Sequence, residues 1–340
     1  LSNKQNEAEA GLWEALPGGA ARCRLCAHYC RLAEGEISRC GVRLNRQGKL
    51  LTRNAGELAA INLDPVEKKP LFHFLPGSQT YSLGSFGCNF SCRFCQNSGI
   101  SQGAARKSGS GQRVAPEKLL DAAVKSGAAS LSYTYNEPTV FFELLAACAR
   151  TAKDKGLRNI MVSNAYLSKE GFSALDGLVD AANFDLKSFS DAFYRDYCGA
   201  RLKPALQTLK RAIRAGWWVE VTTLIISGLN DSREELDQLA DFLASELGPD
   251  LPWHVSAFRP AYLMPDHQPT PVASLERALE AGSRRGLRYV YTGNAAGHDA
   301  ESTYCPACKK KLIARLGFLA RPGFSGVCPD CGLKTPGIWI

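Results

Sequence analysis

The sequence predicts an α/β protein: a partial (β/α)6 TIM-like barrel, with a cysteine-rich segment ahead of it and a zinc-ribbon tail behind it. Three observations carry that reading. Between residues 76 and 300, short runs rich in β-branched and aromatic residues alternate with runs of helical period. Strict strand–helix alternation implies parallel strands joined by right-handed crossovers. Residues able to do chemistry gather where the predicted strands end, as they do in barrel folds. A doubly wound open sheet is the competing arrangement, but no strand runs into a clean G-x-G-x-x-G turn.

The elements follow in chain order. TYSLGSF (80–86) is a strand that ends at a cysteine loop, and PEKLLDAAVKSG (116–127) is a helix opened by Pro116 and closed by Gly127. SLSYTY (130–135) is the next strand and TVFFELLAACARTAKDKG (139–156) the next helix. RNIMVSN (158–164) and AANFDLK (181–187) are strands, with helix KEGFSALDGLV between them. KPALQTLKRAIRAG (203–216) leads into strand WWVEVTTLII (217–226), then a helix over 232–247 with Ser232 as N-cap. WHVSAF (253–258), helix SLERALEAGSRRG and LRYVYTG (287–293) close the series. Residues 1–75 show little periodicity, and 301–340 hold two C-x2-C pairs around KKKLIARLGF.

Composition bounds the function. The 340 residues are 45% hydrophobic, enough for one large core and a satellite unit. No apolar run is long enough for a membrane span. The opening LSNKQNEAEAG is polar, lacks a signal-peptide core and starts on Leu1 rather than Met, so it reads as a trimmed, disordered lead to a cytoplasmic protein. The net charge of +8 permits an acidic partner without demanding one. Thirteen cysteines in tight C-x2-C and C-x3-C groups point to metal rather than disulfides in a reducing compartment.

SFGCNFSCRFCQN (85–97) places Cys88, Cys92 and Cys95 in a C-x3-C-x2-C loop with no fourth cysteine nearby. Three thiolates hold three irons of a 4Fe-4S cluster and leave one iron open. An open metal position reserves room for a small molecule, whereas closed four-ligand sites are structural. The competing reading is a zinc loop that borrows a ligand from elsewhere. The loop resembles the signature of the radical S-adenosylmethionine (SAM) superfamily, in which it follows the first strand of a partial barrel. That resemblance implies that SAM chelates the open iron. One electron then cleaves SAM to a 5′-deoxyadenosyl radical, which abstracts hydrogen from a substrate, in an oxygen-sensitive reaction.

The resemblance extends to downstream residues and implies their roles. Phe94 stands where the family sets an aromatic against the adenine. In YTYNEPTV, Glu137 matches the Glu that holds the SAM amino group, while Tyr135 and Asn136 replace the usual glycines; Asn136 is counted with the SAM-binding set. FDLKSFSDAFYRDYCG resembles the Asp-Leu-Lys segment of glycyl-radical-enzyme activases, giving Asp185 and Lys187 a place at the SAM carboxylate. Ser163 and Asn164 fall where ribose hydroxyls are bound, and His254 where the ribose or carboxylate is reached. Taken by itself, a carboxylate at a helix start, an Asp-x-Lys pair or a strand histidine is ordinary structure.

DPVEKKPLFHFLPGSQTYSLGSFGCNFSCRFCQN (64–97), WHVSAFRPAYLM and the closing PGIWI are similar to the radical SAM component of the AmmeMemoRadiSam system, whose members are related to pyruvate formate-lyase-activating enzymes. That likeness implies Memo-like and AMMECR1-domain partners and a low-potential electron donor such as a ferredoxin or flavodoxin.

The remaining cysteines form two more groups. Cys305, Cys308, Cys328 and Cys331 have zinc-ribbon spacing, a structural site whose metal supplies folding energy to a short tail. The adjoining lysines 309–311 read as solvated, with docking to an acidic protein or nucleic acid as the alternative. Cys23, Cys26, Cys30 and Cys40 suit zinc or a second 4Fe-4S cluster; their place ahead of the barrel favours a zinc clasp. Cys148 lies in an apolar helix and reads as packing. Cys198, past the fourth strand, is a candidate hydrogen-atom relay or covalent acceptor, set against a plain semi-buried thiol. The Gly/Ser-rich loop 101–113 reads as a mobile cover or a surface insert. Two other functions compete with a free-standing radical enzyme: activation of a glycyl-radical enzyme, and a multi-zinc nucleic-acid-binding module.

Overall fold

The computed structural model describes residues 7–102 and 111–339. Residues 1–6 of the polar lead and 103–110 of the Gly/Ser-rich loop lie outside the described residues. The main elements are β1 (Ala60–Pro65), β2 (Gln79–Gly84), α1 (Pro116–Lys125), β3 (Ser130–Tyr133), α2 (Phe142–Asp154), β4 (Arg158–Ser163) and α3 (Lys169–Leu175). They continue with β5 (Ala181–Asp185), α4 (Leu202–Arg214), β6 (Trp218–Ile225), α5 (Arg233–Phe242), β7 (Trp253–Ala257), α6 (Val272–Arg284) and β8 (Val290–Gly293). Pro116 opens α1, and the Ser232 hydroxyl caps α5 by accepting from Glu235 N at 3.2 Å.

All eight strands join one sheet, in the order β8-β7-β6-β5-β4-β3-β2-β1. β2 to β8 pair in parallel, and β1 pairs antiparallel with β2. A doubly wound sheet reverses its strand order once, so that helices cover both faces. Here the order never reverses, and right-handed crossovers therefore put the helices on one face. The in-register row Leu83, Tyr133, Met161, Ala182 and Val219 is buried in the helix-packed core. The opposite face carries Asn183, Glu220, Thr222, His254 and Tyr291, a buried polar row.

β1 was not expected from the sequence. It sits inside the segment 1–75, so the sheet begins before residue 76. Its pattern hides it: half-exposed residues run into Asp64 and Pro65 without clean alternation. The polar lead also differs from expectation, because Ala8–Glu9 pairs with Lys49–Thr52. Cys148 is fully buried in the core, as its apolar helix implied.

The base of the sheet is closed by the stretch that follows β1. Val66, Leu71 and Phe74 pack against Ile160 and Ala181. The Glu220 carboxylate accepts from Phe72 N (2.9 Å), His73 N (2.7 Å), Trp218 Nε1 (3.0 Å) and His254 Nε2 (2.6 Å). Four donors satisfy a buried charge that would otherwise be prohibitive.

The tail is anchored to this base. His73 Nδ1 lies 2.8 Å from the Pro336 carbonyl, which can only accept, so the proton is on Nδ1. Nε2 then accepts from the Tyr291 hydroxyl at 2.6 Å, Tyr291 accepts from Thr303 Oγ1 at 3.0 Å, and Arg315 Nη1 donates to Thr303 at 2.6 Å. Phe74 also pairs with Ile338 in a parallel bridge. The tail thus borrows the base of the sheet for its core. No helix of the described residues is long and apolar enough to cross a membrane.

Burial holds the His73 imidazole neutral, its pKa pushed down from 6.5 to about 4. Between those pH values the unfolded chain carries the extra proton, so acid favours unfolding there, and above 6.5 the group is neutral in both states. The melting temperature is expected to fall as pH drops from 6.5 toward 4, with a shallower fall in His73→Gln. Equal slopes in the two proteins, measured by thermal scans across that range, would remove His73 from this account.

Candidate active site

The cysteine loop leaves the C-terminal end of β2, and its backbone is pinned from several directions. Gly84 is required by contact, because a Cβ there would lie 2.8 Å from Tyr135 Cδ2 and 3.0 Å from Thr134 O. Gly87 takes φ +86°, and a Cβ on it would meet Cys40 O at 2.6 Å. Asn136 clamps the loop's start: Oδ1 accepts from Ser85 N at 3.0 Å and Nδ2 donates to Gly87 O at 2.9 Å. Ser91 N donates to Cys198 O and Arg93 N to Tyr197 O, each at 2.9 Å, while Leu263 N donates to Arg93 O at 2.9 Å. Gln102 Nε2 donates to Phe90 O at 3.1 Å.

The surroundings of the loop thiols disfavour their charged form. Burial, helped by the Glu137 charge, pushes the Cys88 thiol well above its usual range. The neighbouring Cys198 thiol and burial do the same to Cys92, and burial raises Cys95. A coordinating metal ion removes such protons outright. Asn89, between the first two cysteines and fully buried, keeps its Nδ2 donor without a partner. That orphaned N–H beside Cys88 suits a sulfur-rich anionic group.

Glu137 joins the ends of β3 and β4. Its Oε1 accepts from Thr139 N (3.0 Å), Thr139 Oγ1 and Ser163 Oγ (2.9 Å), and its Oε2 accepts from Asn164 N (2.9 Å). Asn164 Nδ2 in turn donates to Asn89 Oδ1 at 2.7 Å and lies 4.0 Å from Cys88 Sγ. The structure therefore brings Cys88, Asn89, Glu137, Ser163 and Asn164 together. A second group forms around Cys92: Lys187 Nζ pairs with Asp185 Oδ2 at 2.7 Å, and the Lys187 charge acts on Cys92. Burial alone would lower the Lys187 pKa; Asp185 and Cys92 outweigh it and raise it. Tyr135, in the place of a family glycine, adopts the left-handed φ of +69° that a glycine takes freely.

The other expected site residues have these partners. Cys198 is fully buried, its carbonyl accepts from Ser91 N at 2.9 Å, and its thiol lies against Cys92. Phe94 packs on Phe193 with ring centroids 5.7 Å apart. His254 spends Nε2 on Glu220 and its ring lies against Phe72 and Tyr291, which ties it to the base and not to the cysteine loop. Asn136 spends its amide on the loop backbone. Asn89 was missed by sequence reasoning, although its place inside C-x3-C was the available signal.

The tail cysteines form a different kind of site. Sγ atoms of Cys305, Cys308, Cys328 and Cys331 all lie within 4.8 Å of one another, with two pairs at 3.5 Å. Among the described residues no other His, Cys, Asp or Glu group of three or more is so tight. The two knuckles match: Lys309 N returns to Cys305 O and Gly332 N to Cys328 O, with φ of +62° and +73°. This geometry is compatible with a single metal ion.

A family model described as the radical SAM superfamily matches residues 83–243, from the end of β2 into the helix after β6. These residues form a radical SAM superfamily domain. That domain makes the protein an enzyme. The uncharacterized protein MJ0808 of Methanocaldococcus jannaschii is 41% identical over 313 residues, covering 92% of this chain and 93% of that protein. Among solved structures, Streptococcus suis SuiB bound to precursor peptide SuiA matches with TM-score 0.51 and 17% identity, over 67% of this chain and 51% of that one. SuiB bound to S-adenosylmethionine matches with TM-score 0.50 and 16% identity, over 71% of this chain and 56% of that one. Likeness at such identity is one of fold.

Asn136→Ala removes both clamps on this radical SAM loop. It is expected to cost about 1–3 kcal/mol in denaturant unfolding and to speed iron loss on anaerobic gel filtration. Iron retention equal to wild type would show that the clamp is dispensable.

Proposed function

We propose that Cys88, Cys92 and Cys95 ligate three irons of a 4Fe-4S cluster, and that the fourth iron is left for SAM. The observation that supports this is a pinned loop offering three buried thiols and an orphaned Asn89 donor at the sheet's C-terminal edge, inside the matched domain. Such a cluster supplies one electron to the sulfonium of SAM, releasing a 5′-deoxyadenosyl radical that abstracts hydrogen from the substrate.

The chain's own residues then bind and orient. A carboxylate has about four lone-pair sites. Glu137 Oε1 is filled, while Oε2 holds Asn164 N and a longer contact with Ser163 at 3.1 Å. Oε2 keeps capacity for the SAM ammonium, whose charge would relieve a carboxylate that burial has pushed up in pKa. Lys187, held by Asp185 beside Cys92, supplies the cation for the SAM carboxylate. The seven parallel strands would curl as a partial barrel, with the substrate admitted at the end that carries the cysteine loop. Cys305, Cys308, Cys328 and Cys331 hold a structural zinc ion, which is redox-inert and rigidifies the tail.

Two measurements test this reading. Cys88→Ala, Cys92→Ala and Cys95→Ala are each expected to lose about four irons per chain and to make no 5′-deoxyadenosine from SAM under anaerobic reduction. Zinc in place of iron at the wild-type loop, or 5′-deoxyadenosine from all three variants, would overturn it. Cys308→Ser is expected to lose about one zinc per chain while keeping its iron, read by elemental analysis. Loss of iron instead would refute the zinc assignment.

A further inference from the structure

The N-terminal segment is not a separate clasp. It folds as two small sheets, Trp13–Ala15 with Ala21–Cys23 and Arg31–Leu32, and Ala8–Glu9 with Lys49–Thr52 and Arg43–Arg46. These bring four cysteines into one space. Cys23 N donates to Cys30 O at 2.9 Å, and Tyr29 N returns to Cys26 O at 3.1 Å in a turn where Tyr29 takes φ +46°. Cys26 bridges to Leu167 beyond β4. Cys23 lies within electrostatic reach of Cys30 and Cys40. Cys26 lies within reach of Cys23, Cys30 and Cys40 together.

The spread of these sulfurs separates two metal classes. A zinc ion holds four sulfurs at about 2.3 Å, which sets them about 3.8 Å apart. The tail group has that compact form, with all Sγ atoms within 4.8 Å of one another. A cubane attaches each thiolate to a different iron at a different corner, so its sulfurs stand farther apart. Among the described residues no three sulfurs of Cys23, Cys26, Cys30 and Cys40 lie within 4.8 Å of one another, and neither do those of Cys88, Cys92 and Cys95. In this the N-terminal group resembles the cysteine loop and differs from the tail group.

A second observation points to an anionic occupant. Arg43 is 1% exposed and spends Nη1 and Nη2 on Glu143 at 2.7 and 3.1 Å. Its Nε has no partner. The guanidinium lies close enough to Cys23 to pull against the burial effect there, and it interacts with Cys40 as well. A buried, unpaired guanidinium N–H is costly unless a negative group faces it. Ser38 Oγ is 3.0 Å from Cys40 Sγ, a further polar contact on that sulfur.

The site abuts the loop from behind. His28 Nε2 donates to Asn89 O at 2.8 Å, and Asn89 follows Cys88 directly. Cys40 O is the atom that excludes any side chain at Gly87.

We propose that Cys23, Cys26, Cys30 and Cys40 ligate a second 4Fe-4S cluster, closed by four protein thiolates and seated against the back of the Cys88–Cys95 loop. Four ligands leave no open iron, so this cluster does not bind SAM. The assignment stands on the N-terminal residues and holds whatever chemistry the loop performs.

Full-length protein purified anaerobically and reconstituted with iron and sulfide, with zinc present, decides it. Wild type is expected to hold about eight irons and one zinc per chain; about four irons and two zincs would overturn the proposal. The variant Cys88→Ala/Cys92→Ala/Cys95→Ala leaves the N-terminal group intact. It is expected to keep about four irons and four sulfides, with a reduced-state EPR signal that added SAM does not change. Zinc without iron in that variant would equally overturn it. The wild-type count needs no variant to fold.

Discussion

A backbone fixed at both sides is the constraint on which the site depends. Phe90 and Phe94 bury the cysteine loop in the core, and its backbone is tied down on both sides. Asn136 takes its first turn, the Tyr197 and Cys198 carbonyls take its middle, and Gln102 takes Phe90 from the far end. Each bond is modest by itself, about 1 kcal/mol net, but together they leave the loop few ways to move. That matters because a metal centre built on a loose loop pays ordering entropy when it forms.

The same logic explains why the segments before and after the sheet are not ornaments. The N-terminal unit presses Cys40 and His28 onto the loop from behind. The tail and the 66–75 stretch close the opposite end through the chain of hydrogen bonds from Arg315 to Pro336 and the four-donor shell on Glu220. One end of the sheet is thus polar, and the other carries the cysteine loop. In the row between them Thr222 donates to Asn183, Asn183 donates to the Pro70 carbonyl and Tyr291 donates to His73, so these groups tie the sheet to its base.

The sequence by itself determined the strand–helix alternation, the place of the C-x3-C-x2-C loop after β2, the N-cap at Ser232 and the compact pairing of the tail cysteines. These depend on local periodicity and short spacing, which a chain writes directly into its residues. The contacts of Glu137, Phe94, Cys198 and His254, the place of β1 in the sheet and the absence of a tight trio among the N-terminal sulfurs came from the folded chain alone. The physical reason is separation along the chain. Arg43 meets Glu143 across 100 residues, His28 meets Asn89 across 61, and Arg315 meets Phe72 across 243. Such partners are chosen by the packing of the whole sheet, and residue type alone does not encode which buried donor will face which acceptor.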